Sequence, residues 1–201
     1  MTPEESSTVL RCISHWEGRI SWPYLDNAEH PNVTIGVGCL IASVDALRAL
    51  PLRRYADGAP ATSEELGAEF CRLRAMPGGQ RAAAYRGAYY LPEDAIDDLA
   101  AHRLRAMAEA LPGVFPTFPH LPPPARACLL DLAWNVGVAG LHTWKRLRGA
   151  LGASLVAWDM AEVNCQTANP LGLTQRAARN AWRAQCLRYA SLGRLDIPQP
   201  L

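Results

Sequence analysis

The chain has 201 residues, 49% of them hydrophobic and 19% charged, which is enough apolar material to enclose a core and excludes a disordered chain. No run approaches the roughly 18 uninterrupted apolar residues of a membrane span, so a soluble protein is expected. A net charge of +1 argues against strong affinity for nucleic acid. The charge is unevenly spread: residues 1–100 carry 9 Lys/Arg against 14 Asp/Glu, and residues 101–201 carry 11 against 5. An acidic half followed by a basic half suggests two lobes.

In chain order, Thr2-Pro3-Glu4-Glu5 reads as a helix start, with Thr2 as N-cap, Pro3 at the first helical position and Glu5 closing a capping box. Val9, Leu10, Ile13 and Trp16 then share one face of a helix over about residues 3–17, ended by Gly18. Tyr24-Leu25, the turn formers Asp26-Asn27 and His30-Pro31-Asn32, and Val33–Gly38 predict strand, turn and strand. Everything afterwards reads helical. Ser43–Leu50 is a short helix, Thr62-x-x-Glu65 caps another running to about Met76, and Gln80–Tyr90 is ambiguous. Pro92–Leu111 is a long amphipathic helix, and Phe115–Pro124, with five prolines, is a loop suited to a lobe junction. Ala125–Val136, Leu141–Leu151, Ser154–Cys165 and Thr174–Ala190 complete the helices.

One small N-terminal hairpin in a mostly helical chain makes the class α+β. A single two-lobed domain is expected: an N-terminal lobe over about 1–91, a connecting helix over about 92–111 and a helical C-terminal lobe over about 112–201. The cysteines Cys12, Cys39, Cys71, Cys128, Cys165 and Cys186 show no C-x-x-C pair and no metal-ligand spacing, so buried free thiols are the default. An even count leaves disulfides open after export. The N-terminus is acidic and polar, the reverse of a secretory signal. Synthesis in the cytoplasm without a cleaved signal is therefore expected, and any action outside needs another route.

The chemistry concentrates around the hairpin. Glu17 ends the first helix, Asp26 stands in the turn, and Thr34 opens the return strand. Glycoside hydrolysis needs one carboxyl group to protonate the leaving oxygen and a second group on the opposite face to handle water or the anomeric carbon. A Glu, an Asp and a Thr within 18 residues are also common as surface, turn and strand residues, so spacing alone carries little. His15, two residues from Glu17, points to another side of the helix and is not its proton partner.

The wording of the residues adds to this. His15-Trp16-Glu17-Gly18-Arg19, Tyr24-Leu25-Asp26 and Thr34-Ile35-Gly36-Val37-Gly38-Cys39-Leu40 resemble the phage-type lysozymes, glycoside hydrolase family 24. Trp134-Asn135-Val136-Gly137 looks like the central helix of that family's C-terminal lobe, and Gly172-Leu173-Thr174-Gln175-Arg176 like the start of its last helix. The resemblance covers about two thirds of the chain in the right order. It implies a lysozyme-like two-lobed fold and a muramidase that hydrolyses the β-1,4 bond between N-acetylmuramic acid and N-acetylglucosamine in peptidoglycan. Glu17 would be the general acid, kept protonated by partial burial. Asp26 and Thr34 would position and activate water, giving inversion, which takes carboxyls about 6.5–9.5 Å apart. Leu40, Trp134, Asn135 and Trp144 are the substrate-binding candidates; no metal or cofactor is required.

Trp16, Trp134, Trp158 and Trp182 also fall on apolar helical faces and read as core, whereas Trp144, beside Lys145, Arg146 and Arg148, suits a wet surface. The sequence departs from the family pattern in four ways. Eight residues separate Asp26 from Thr34, two more than the pattern; Cys39 replaces a His; Ala177 and Asn180 replace an Arg and an acid; and Ile41–Leu91 is longer than a compact member needs. The partners implied are glycan strands, with a monomer expected and neither nucleic acid nor a membrane span. A phage endolysin would need help to reach the cell wall. An antibacterial effector would be delivered by a secretion machine and held by an immunity protein in the producing cell. The rivals are a lytic transglycosylase and a catalytically inactive peptidoglycan-binding module.

Overall fold

The computed structural model describes residues 1–26, 30–152, 155–168 and 173–200. The fold is α+β and mostly helical, with a three-stranded and a two-stranded antiparallel sheet. The chain divides into two compact units, one formed by Met1–Trp16 with Arg103–Leu201 and the other by Glu17–His102.

The helical unit opens with α1 (Pro3–Glu17), which leaves the unit at its last residue. Its buried stripe is Val9, Cys12, Ile13 and Trp16, so Cys12 stands where the periodicity places Leu10. Thr2 caps the helix as expected, its hydroxyl accepting from the Glu5 N–H at 3.1 Å. Glu5 does not complete a capping box. Its carboxylate is taken at 2.8 Å by both Nε and Nη2 of Arg126, because a bidentate guanidinium outcompetes a single backbone N–H.

The second half of α4 (Glu93–Ala110) belongs to this unit, followed by α5 (Pro123–Gly140). The proline-rich segment 115–124 lies inside the unit and forms a 3-10 turn at Phe118–His120. Pro123 and Pro124 lock the first turn of α5, where a missing N–H costs nothing. Residues 127–134 of α5 are all buried, the pattern of a core helix, and Asp131 is the one charged side chain among them. Gly137, at φ 75° and ψ 153°, kinks it. The remaining helices are α6 (Lys145–Gly152), α7 (Trp158–Asn164) and α8 (Thr174–Ser191), with α8 packed on α5 and α7. Ser154, the expected start of the α7 segment, lies outside the described residues, and α7 begins only at Trp158. Trp16, Trp134 and Trp182 are core, whereas Trp158 is half-buried.

The other unit is built on β1 (Ile20–Leu25), β2 (Val33–Gly36) and β3 (Cys39–Leu40), in that order. Pairing slips between Ile20↔Gly36 and Tyr24↔Thr34, a bulge that accommodates Pro23, which has no N–H for the ladder. The expected return strand over 33–38 ends at Gly36, and a third strand follows it. Gly36 and Gly38, at φ 65° and 66°, turn the chain so that Cys39 pairs back on Ile35. Around this sheet stand α2 (Val44–Arg48), capped by Ser43, and α3 (Ser63–Ala75), where Thr62 and Glu65 form a complete capping box. The expected helices leave out β4 (Arg53–Arg54), which pairs with β5 (Tyr89–Tyr90) at the end of the ambiguous stretch 80–90. Two residues are too few to show an alternation.

Five cysteines are buried and Cys71 is exposed. Among the described residues, no helix is long and apolar enough to cross a membrane.

Candidate active site

Glu17 is the last residue of α1, next to the buried Trp16, and is itself half-buried. Gly18 follows at φ 73°, and a Cβ there would meet nothing within 4 Å. The glycine is needed for the left-handed conformation that ends the helix, not for space. It turns the chain directly after the carboxylate and into β1.

The register of the sheet decides which side chains share a face. Leu25 pairs with Val33 and Ile35 with Cys39, and all four are buried at 3% exposure or less. The opposite face carries the row Tyr24, Thr34 and Leu40, since Thr34 pairs with both of the others. Asp26 and Asn32 stand just beyond the ends of β1 and β2. Thr34 is buried and Leu40 is 53% exposed.

Asn32 joins the two polar candidates. Its backbone N–H donates to Asp26 Oδ1 at 2.9 Å and its Nδ2 to Oδ2 at 3.2 Å. Its carbonyl accepts from the Asp26 N–H at 3.0 Å and from the Thr34 hydroxyl at 3.4 Å. Asn32 thereby orients the Asp26 carboxylate through both of its oxygens. The pairing ends at Leu25↔Val33, with Thr34 opposite Tyr24. Asn27 of that loop lies outside the described residues. Asn32 was not singled out in the sequence; its signal is a turn former two residues before Thr34, with a side chain that both donates and accepts.

Cys39 points to the apolar face with Ile35, where it is 2% exposed and acts as a small hydrophobe. His15 packs edge-on against Trp16, with ring centroids 4.6 Å apart.

The other candidates belong to the helical unit. Trp134 is buried, with the Arg103 guanidinium 4.4 Å over its ring and Arg103 Nη2 donating to its carbonyl at 3.2 Å. Asn135, one residue on, is exposed. Trp144 is half-buried and borders an open groove of about 510 Å³ with Lys145, Arg146, Asn164 and Gln166. Gly172 lies outside the described residues, while Gln175 donates to the Trp16 carbonyl at 2.8 Å. Asn180, at the position where the family pattern has an acid, is buried and bonded to Thr167.

Among the described residues, no group of three or more His, Cys, Asp or Glu side chains can hold a metal ion. Neither a protein-family model nor a curated protein matches the chain.

Proposed function

We propose that the chain is a muramidase that hydrolyses the β-1,4 bond between N-acetylmuramic acid and N-acetylglucosamine in peptidoglycan. The observation that carries this reading is the linking of Asp26 and Thr34 through Asn32 at the end of the β1–β2 hairpin, which directly follows the helix ending in Glu17. Glu17 protonates the leaving oxygen as general acid. Asp26, held as an oriented acceptor, takes a proton from the attacking water, and Thr34 orients that water through its hydroxyl. Attack from the face opposite the leaving group inverts the anomeric centre. Leu40, beside Thr34 and exposed, offers an apolar contact to a sugar, and Asn135 and Trp144 are surface groups of the kind that bind glycans.

The work of such an enzyme lies in the cell wall, reached as a phage endolysin or as a delivered antibacterial effector. In the second case the producing cell needs a partner that covers the site.

The test is digestion of purified peptidoglycan by the wild type and by Glu17→Gln, with the products separated and weighed. The reading expects reducing disaccharide-peptides from the wild type alone, with the α-anomer appearing first by proton NMR. Anhydro-muramic products would replace it with a lytic transglycosylase. Wall binding by both proteins, with no products from either, would leave a binding module.

A further inference from the structure

The turn that leads into β2 is held from outside by α3 and the segment that follows it, contacts that the muramidase reading does not use. Arg74, in the last turn of α3, donates through Nη1 to the Pro31 carbonyl at 2.8 Å. Gly78, just past the end of α3, lies so close to the Pro31 ring that a Cβ on it would fall 2.4 Å from Pro31 Cγ. A proline ring has no flexible end to move aside, so glycine is required there by close approach. The backbone around Gly78 is itself anchored. Tyr85, fully buried, donates its hydroxyl to the Pro77 carbonyl at 2.9 Å and accepts from the Gln80 N–H at 3.2 Å. Arg72 Nη2 donates to the Tyr85 carbonyl at 2.7 Å, and α3 packs on β1 and β2. Pro31 therefore rests on a fixed support.

The Pro31 carbonyl and the Asn32 N–H are the two ends of one planar peptide group. Arg74 donates to its oxygen, and its N–H donates to Asp26 Oδ1 at 2.9 Å. The order is guanidinium, carbonyl, N–H, carboxylate. A cation on the carbonyl draws electron density toward the oxygen and makes the N–H a stronger donor, as hydrogen bonds in a chain polarise one another. The same bond fixes the plane of the peptide, and with it the direction of the N–H. The next carbonyl, that of Asn32, accepts from the Thr34 hydroxyl, so both proposed water-handling groups bond to the residue that this peptide group orients.

We propose that Arg74 is a positioning residue for the candidate site, setting the Pro31–Asn32 peptide group and through it the Asp26 carboxylate. The inference rests on the muramidase reading for its effect on rate. It gives α3, in the long stretch between the hairpin and α4, the task of supporting the turn.

The test compares the full-length wild type with Arg74→Met, Arg74→Lys and Gly78→Ala by two independent readings. One is the Asn32 amide proton shift by NMR, with Tm measured alongside. The other is kcat and KM for muropeptide release from soluble peptidoglycan fragments. Arg74→Met is expected to move the Asn32 amide proton upfield, because the N–H becomes a weaker donor. Arg74 is exposed, so Tm should stay within about 2 °C of wild type. kcat should fall about tenfold with KM within about twofold of wild type, the mark of a misplaced group rather than a lost substrate contact. Arg74→Lys keeps a cationic donor and should recover most of the shift and of kcat. Gly78→Ala, with Arg74 intact, should displace Pro31 and move the same amide proton. Arg74→Gln repeats the reading with a neutral polar side chain should Arg74→Met fold poorly. An Asn32 amide proton unmoved in the Arg74 variants or in Gly78→Ala would overturn the proposal. A rise in KM at constant kcat would also overturn it, by placing Arg74 in substrate binding. So would a joint fall in Tm and kcat that lysine does not rescue, which would make Arg74 a structural residue. A wild type that releases no muropeptides would overturn the muramidase reading alone, and the Asn32 shift would then decide whether Arg74 sets this peptide group.

Discussion

The two units hold their key carboxylates differently. In the helical unit Asp131 is fully buried, and both of its oxygens are engaged by guanidiniums. In the other unit Asp26 is only half-buried, and Asn32 donates to both of its oxygens. A carboxylate clamped by two cations is neutralised in place and ties helices together; removing it strands the cations. A half-buried carboxylate stays within reach of a ligand or a water. Burial, more than the spacing along the chain, thus separates a carboxylate that holds the fold from one that a ligand can reach.

The sharpest way to break this comparison is Asp131→Asn. With Arg179 and Arg183 left buried beside a neutral group, the expected loss is about 3–5 kcal/mol of unfolding free energy in urea. Asp26→Asn keeps the shape at a half-buried position and is expected to cost about 1 kcal/mol. Equal losses at the two sites would end the distinction.

The next largest effect is on activity. Glu17→Gln and Asp26→Asn should each lower the rate of muropeptide release by a factor of about 10²–10⁴ while leaving Tm within a few degrees of wild type. A variant that loses activity and stability together would place its carboxylate with Asp131.

Much of this contrast was legible in the sequence on the hairpin side. Glu17-Gly18, Asp26 and Thr34 stand out because helix end, turn and strand each have local signals, and α1 and the capping box at Thr62 follow from a few neighbouring residues. Asn32 was not legible as a bridge, since its role depends on a register set by tertiary pairing. The Asp131 cluster was not legible either. Arg179 and Arg183 lie on α8, and only its packing on α5 turns them toward Asp131. The strands β4 and β5 escaped because they are two residues each and 34 residues apart from end to start.

Backbone strain sharpens the comparison within the hairpin unit. Gly36 and Gly18 both have positive φ, but a Cβ on Gly36 would lie 3.3 Å from Ile96 Cγ2, whereas one on Gly18 meets nothing within 4 Å. Both Gly→Ala changes should cost about 1–2 kcal/mol from the left-handed backbone, with Gly36→Ala the larger. If Gly18→Ala proved the costlier, the turn after Glu17 would be under a constraint beyond its φ.

The smallest expected effect concerns exposed carboxylates, the third environment in the molecule. Asp57 is held below the ordinary carboxylate range first by the hydrogen bond from Arg54 and then by the Ala59 N–H. Glu65 is lowered first by the Thr62 N–H, against burial, and then by Arg54. A carboxylate with a depressed folded value stabilises the fold fully above its unfolded value, about 4, and loses that contribution as pH falls through the lower folded value. Arg54→Met should therefore reduce the fall in Tm between pH 7 and pH 3, and high salt should shrink the difference between the two proteins. Both carboxylates are solvated, so the change should be about 1 °C or less. Glu65 keeps its capping bond to Thr62 when Arg54 is gone, so part of the acid sensitivity remains and should disappear only with Glu65→Gln. An Arg54→Met protein with the full wild-type acid response would assign that response to other carboxylates and leave this pair with no measurable part in stability.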